Sequence, residues 1–304
     1  MQVTHHKEDN GFFYYKISDP SPYPKDAILF FHGFGQSKST LLPAAKSLYN
    51  KLQSKRSSTT TLEVIVPDIH HHGENQDELV LNSLFKNFNV KILNLKQNYR
   101  SINLIGISLG SFLNAYLASS LSETIQSAVF ISLPYNIRKA LPKKLRAVIL
   151  KAFSGSNNWL FPWKLFLDEY RQLQKELKHL RFRGTWSGPE ISIGELNYLT
   201  LSDLLLFLQD DFRTLPLIQK VHCPSLFIYG GQDEYLGASR NQLDPELHSL
   251  YDQCPAKNKY LYLIKEASHG ISDLSEPNLN FLKSNLYFEP VIDEIAAFFH
   301  KHLS

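Results

Sequence analysis

Cysteine is nearly absent: Cys223 and Cys254 are the only two in 304 residues. One pair excludes the disulfide framework of a small secreted scaffold. Neither stands at a metal-type spacing from another cysteine, so two buried thiols in a reducing compartment are expected. Long uncharged apolar runs are missing too. None reaches the roughly 18 residues that span a bilayer, and Met1–Asn10 is polar and charged, without the apolar run of a secretory leader. A cytoplasmic location without stable membrane insertion is therefore expected. Charge of one sign is also scarce. Lys and Arg number 32 against 29 Asp and Glu, a net charge of +3. No aromatic-basic module accompanies that mild excess, so nucleic acid is not an expected partner.

What is present is an alternation. Ala27–Phe31 stops at His32-Gly33, Leu62–Val66 at Pro67-Asp68 and Ser101–Ile107 at Ser108. Ala128–Leu133 stops at Pro134, Leu226–Tyr229 at Gly230-Gly231, and Tyr260–Ile264 just before Ala267-Ser268-His269. Continuous apolar runs of this length suit parallel strands buried on both faces. Amphipathic stretches separate them: Leu41–Leu52, Leu79–Leu95, Ser111–Leu121 and Pro290–Leu303, the last with Val291, Ile292, Ile295, Phe298 and Phe299 on one side. The alternation predicts an α/β fold, a doubly wound and mostly parallel β-sheet. The rhythm breaks at residues 135–216, where helical patterning such as Phe166–Leu180 replaces buried runs. This segment reads as an inserted helical cap, with residues 1–134 and 217–304 forming the core. All three tryptophans, Trp159, Trp163 and Trp186, fall in the cap, as do 13 Lys or Arg against 8 Asp or Glu, a net of +5. The Trp, Phe and Leu content of this cap, with Trp159, Trp163 and Trp186 as its candidate binding residues, predicts an apolar pocket. The charge reads either as a solvated helical surface or as attraction for an anionic substrate or membrane surface.

Four motifs carry chemistry. Gly106-Ile107-Ser108-Leu109-Gly110 is G-x-S-x-G where a buried strand turns into a helix. A serine there projects into a cleft beside a base, and the helix N-terminus offers amides to developing negative charge. His32-Gly33-Phe34-Gly35-Gln36-Ser37 follows the first buried strand, and such a glycine-rich loop supplies backbone N–H donors for a tetrahedral oxyanion. Leu109 and Phe34 are the expected donors, while His32 reads as a structural residue of the loop. Asp233, in Gly230-Gly231-Gln232-Asp233, ends another apolar strand and is placed to orient an imidazole. Glu234 is its close rival, and Asp252 a poorer one in a less regular segment. His269 stands at a strand end, whereas His248 falls mid-helix and His300 and His302 in the last helix, which makes His269 the expected base. The run His70-His71-His72 invites a metal, but consecutive residues point different ways and no cysteine or carboxylate completes a site, so no metal is expected.

In the order Ser108, Asp233, His269, and in its H-G-F-G and G-I-S-L-G pieces, the chain resembles the α/β-hydrolase superfamily, specifically its capped serine esterases and lipases. The resemblance covers roughly Ala27–Pro134 and Leu217–Leu303. Pro67-Asp68 to Gly73 looks like the family's loop after its fourth strand, although Ile69-His70-His71-His72 is unusual there. Serine rather than aspartate at the nucleophile position argues against haloalkane dehalogenases and epoxide hydrolases. Gly270 after the base suits an esterase or lipase better than a C–C bond hydrolase. The resemblance implies cofactor-free hydrolysis of a small ester or thioester through an acyl-enzyme. Thioesterase, acyltransferase and C–C bond hydrolase chemistry remain on the same residues, and a non-catalytic ligand-binding protein on a hydrolase scaffold is the rival outside catalysis.

Overall fold

The computed structural model describes residues 1–8, 12–20, 23, 25–54, 61–136, 180–185, 188–200, 203, 213–233, 245–271 and 287–303. Strands β1 (Gln2–Lys7), β2 (Phe13–Ser18), β3 (Lys25–Phe31), β4 (Thr61–Pro67), β5 (Ser101–Ile107), β6 (Ile125–Ile131), β10 (Ser225–Gly230) and β11 (Lys259–Ile264) form one sheet in the order β1-β2-β4-β3-β5-β6-β10-β11. From β4 to β11 every neighbouring pair is parallel. The buried apolar runs of the sequence are these strands: β4, β5 and β10 are buried along their whole length.

Helices cover both faces. On one, α1 (Lys38–Gln53) and α6 (Phe288–His302) pack through Leu41, Ala45, Leu48, Val291, Ile295 and Phe299. On the other lie α2 (Leu81–Lys96), α3 (Leu109–Ser120), the short α4 (Leu215–Ile218) and α5 (Pro245–Gln253), joined to the sheet through residues such as Leu84, Phe112, Leu117, Ile218 and Leu250. Each large apolar side chain removed from water in this way contributes about 1.5–3 kcal/mol before conformational entropy is charged against it.

Two regions depart from the sequence reading. The β1–β2 hairpin is antiparallel and joins the sheet by pairing β2 with β4. Its first strand is polar and partly exposed, Thr4, His5 and His6 included, while its second carries Phe13-Tyr14-Tyr15 and the fully buried Ile17, so ladder hydrogen bonds and Ile17 in the core beside α1 hold it together. The second is the segment 135–216, expected to be an inserted helical cap. Of the expected helical stretch Phe166–Leu180 only Leu180 is among the described residues, where it opens a strand; Trp159, Trp163 and Trp186 lie outside them. The segment's described residues include a small antiparallel sheet, β7 (Leu180–Thr185), β8 (Gly188–Ile193) and β9 (Leu199–Thr200), and run into α4 at Leu215. Polar and apolar residues alternate along Arg181-Phe182-Arg183 and Glu190-Ile191-Ser192, the period of a strand and not of a helix. Ile191, Leu196 and Leu199 are buried in the core shared with α2 and α3. Among the described residues no helix is long and apolar enough to cross a membrane.

Candidate active site

The carboxyl ends of parallel strands open toward one edge of the sheet, where open α/β folds place their ligands. Four of those ends carry the residues singled out in the sequence. Ser108 follows β5 and is the N-cap of α3, with φ 51 and ψ −110. That left-handed backbone is unusual for a side-chain-bearing residue and costs on the order of 1–3 kcal/mol. Its neighbours explain why the turn is so sharp. A Cβ on Gly106 would meet the Gly110 carbonyl oxygen at 2.2 Å, and one on Gly110 would meet the Phe31 carbonyl oxygen at 2.5 Å. The strand and helix thus approach closer than any side chain permits. Ser108 makes no side-chain hydrogen bond to its own helix, although serine is a preferred capping residue. Its hydroxyl is turned elsewhere.

The Ser108 Oγ lies 3.0 Å from His269 Nε2, and His269 Nδ1 lies 2.7 Å from Asp233 Oδ2. All three side chains are buried, Asp233 completely and Ser108 and His269 with 7% and 5% exposure. The residues come from the ends of β5, β10 and β11, up to 161 positions apart in the chain. If Asp233 holds a proton on Nδ1, Nε2 is left with a lone pair toward the serine hydroxyl. Ser132, one residue beyond β6 with φ 50, donates from Oγ to the His269 carbonyl at 2.7 Å, while its own N–H bonds the Ile228 carbonyl at 2.8 Å. Nothing in its local sequence marks Ser132, because its partner is 137 residues away. The rivals fare differently. Glu234 lies outside the described residues. Asp252 lies in helix α5, not in an irregular segment, and is paired with His248 at 2.9 Å on an exposed face.

The loop after β3 is tied down through Gly33, Gly35, Gln36 and the His32 ring. Gln36 N–H bonds the Gly33 carbonyl at 3.3 Å, and Gly33 N–H bonds Gln36 Oε1 at 2.8 Å. His32 Nδ1 donates to the Gly33 carbonyl at 2.8 Å, and its Nε2 accepts from Ile69 N–H at 2.9 Å. Burial pulls the His32 imidazole down to about 4, against the Gly33 hydrogen bond that acts in the opposite direction. The ring is therefore neutral at physiological pH. Phe34 sits at the centre of this loop, and Leu109 is the first residue of α3, where backbone amides have no acceptor inside the helix.

The three consecutive histidines point to three different walls. His70 Nδ1 bonds the Glu78 carbonyl at 3.2 Å, His71 Nε2 the Tyr198 carbonyl at 3.1 Å, and His72 Nε2 accepts from Gly35 N–H at 3.1 Å. Among the described residues no group of three or more His, Cys, Asp or Glu is placed to hold a metal ion. Beside them Lys38, 2% exposed, bonds Asp68 at 2.5 Å and Glu74 at 2.9 Å.

The family model described as the alpha/beta hydrolase fold matches residues 26–274. No curated protein sequence matches the chain. Among solved structures, it is similar to Est1E from Butyrivibrio proteoclasticus with bound ferulic acid, at TM-score 0.58 and 15% identity over 99% of each chain. It is also similar to the monoacylglycerol lipase of Paleococcus ferrophilus, at TM-score 0.56 and 14% identity, covering 99% of this chain and 100% of that one. A third is the Pyrococcus furiosus esterase Pf2001, at TM-score 0.60 and 14% identity over 100% of this chain and 91% of that one. At such identities the likeness is one of fold.

Proposed function

The chain belongs to the α/β-hydrolase fold family, and on that premise we propose that it is a serine hydrolase cleaving carboxylic esters through an acyl-enzyme. The observation that carries this reading is the chain of two hydrogen bonds from Ser108 through His269 to Asp233, at 3.0 and 2.7 Å, assembled from three strand ends. Residues brought together from such distances, with the serine held in a costly backbone conformation, suit a nucleophile beside its base. The esterases and lipases among its structural neighbours favour an ester as substrate.

In the proposed cycle His269 Nε2 takes the Ser108 proton as Oγ attacks the carbonyl carbon. The tetrahedral oxygen gains a negative charge and accepts hydrogen bonds from the N–H groups of Leu109 and Phe34. Each donor is worth on the order of 3 kcal/mol of barrier. His269 then gives its proton to the departing alcohol, leaving Ser108 acylated. A water, deprotonated by the same imidazole, attacks the acyl-enzyme and frees the acid and Ser108. Asp233 stays ionised and stabilises the imidazolium in both halves. None of these steps calls for a cofactor. The Trp159, Trp163 and Trp186 side chains of the insertion are assigned to an apolar site for a medium acyl or aryl group.

Labelling with a fluorophosphonate, followed by mass mapping of the modified peptide, tests the nucleophile. Turnover of p-nitrophenyl esters of graded chain length tests the bond that is cleaved. Stoichiometric modification at Ser108 and loss of turnover in Ser108→Ala are expected. Full ester turnover by Ser108→Ala overturns the proposal, and so does a folded wild-type protein that neither labels nor hydrolyses any ester of the series.

A further inference from the structure

The histidine run and the oxyanion loop meet at one bond, and it carries more than packing. His72 Nδ1 lies 2.7 Å from the His70 carbonyl oxygen, which can only accept, so Nδ1 carries the proton. Nε2 is then a bare acceptor, and Gly35 N–H donates to it at 3.1 Å. The ring is fully buried, 5.6 Å edge-on from the Phe34 ring and 5.1 Å from His32, centroid to centroid.

The turn that this bond touches has two forms. Gln36 N–H on the Gly33 carbonyl closes Gly33–Gln36 as a β-turn, and Gly35 at φ 76 makes it type II. Types I and II differ by a flip of the central peptide, here Phe34–Gly35. His72 Nε2 accepts from that peptide only while the N–H faces it. In the flipped form the Phe34 carbonyl would meet a lone pair. His32 fixes the preceding peptide, because its Nδ1–H holds the Gly33 oxygen and a trans peptide then sends the Phe34 N–H the opposite way. Both peptide planes that flank Phe34 are thereby set by imidazoles. From its far side Gly35 is held again, through its carbonyl, by Glu195 N–H of the insertion at 2.9 Å. The other two histidines anchor the loop that carries His72, one beside α2 and one on the insertion.

The geometry points to His72 as a positioning residue that holds the Phe34 amide in its catalytic orientation by accepting from Gly35 N–H. This rests on the reading of Phe34 as an oxyanion donor. His72 touches no reacting atom; it acts through the Phe34–Gly35 peptide. Its neutral form is the one required, and the surroundings favour it. Burial and the nearby His32 hold the ring well below the usual histidine range, His71 adds to this, and the hydrogen bond to His70 and the carboxylate of Asp68 oppose it without prevailing.

Two variants separate this role from a structural one. His72→Leu removes the acceptor, while His72→Gln offers a side-chain oxygen at about the reach of Nε2. With melting temperature followed in parallel, His72→Leu is expected to lower kcat on ester at least about tenfold with KM nearly unchanged, and His72→Gln to restore most of it. In the wild-type protein, 15N-histidine NMR is expected to show His72 as the neutral Nδ1–H tautomer, with a slowly exchanging Gly35 amide that exchanges faster in His72→Leu. Unchanged kcat in folded His72→Leu, equal losses in both folded variants, or an Nε2–H tautomer overturns the assignment. If the wild-type protein hydrolyses no ester, the ester reading has failed. The tautomer and the Gly35 exchange rates then still decide the role of His72; if His72→Leu does not fold, the wild-type tautomer and the Gly35 exchange rate of His72→Gln against wild type decide it.

Discussion

Replacing Asp233 by asparagine changes almost no volume and removes one charge, which makes it the sharpest probe of the proposed catalytic set. The Asp233 carboxylate is fully buried and sits 2.7 Å from His269 Nδ1. When His269 takes the serine proton, an imidazolium forms with its charge centre about 4 Å from that carboxylate. At an effective dielectric of about 20 the pair attracts by about 4 kcal/mol. Loss of that term slows the reaction roughly a thousandfold. The asparagine amide can also donate to Nδ1, which moves the ring proton to Nε2, where it faces Ser108 and cannot accept. The two effects act together, so kcat is expected to fall by roughly 10³ to 10⁴ with KM little changed. Steady-state hydrolysis of a p-nitrophenyl ester by Asp233→Asn measures this, with Glu234→Gln as the comparison. A folded Asp233→Asn enzyme within tenfold of the wild type would refute the argument, and a larger loss in Glu234→Gln would move the role to Glu234.

Two further outcomes follow from buried charge. His32 binds its proton at about 4 in the folded protein because burial penalises the imidazolium, against 6.5 for a free side chain. Between those values the unfolded chain holds the extra proton, so stability is level above about pH 6.5 and falls as the pH drops, by about 3 kcal/mol at pH 4. Urea unfolding across that range should show at least this fall, and His32→Gln should make it shallower by about that amount while the share of the buried His72 and His70 remains; an identical slope in the variant removes His32 from the account. Lys38→Met leaves Asp68, 0% exposed, without its nearest cation. A loss of about 3–5 kcal/mol is expected, partly recovered when Asp68→Asn is added. A single variant within 1 kcal/mol of the wild type contradicts a structural role for the pair.

The core strands and the positions at their ends were legible in the chain alone. A parallel strand between two helical layers must be apolar throughout, so β4, β5 and β10 stand out against any background. The chemistry of such a fold gathers at the carboxyl ends, so a Gly-x-Ser-x-Gly after one run and a histidine after another already pointed to one edge. The β1–β2 hairpin was missed because its place is set by the pairing of β2 with β4, about fifty residues on. The β7–β9 sheet was missed although its strand period stands in the chain, because the two alternating runs are short beside the longer helical pattern before them.

The sequence by itself determined the fold class, the family and the strand ends from which Ser108, Asp233 and His269 project, because hydrophobic period and turn residues are local properties. Only the tertiary structure decided which atoms meet. Asp233 on Nδ1 of His269, Ser132 on the carbonyl of that same histidine, and the separate partners of His70, His71 and His72 all depend on groups many residues away. A hydrogen bond requires its two atoms within about 3 Å, and for distant residues that proximity is set by the packing of helices against the sheet. A run of three histidines therefore reads as one feature in the chain and becomes bonds to three different partners in the fold.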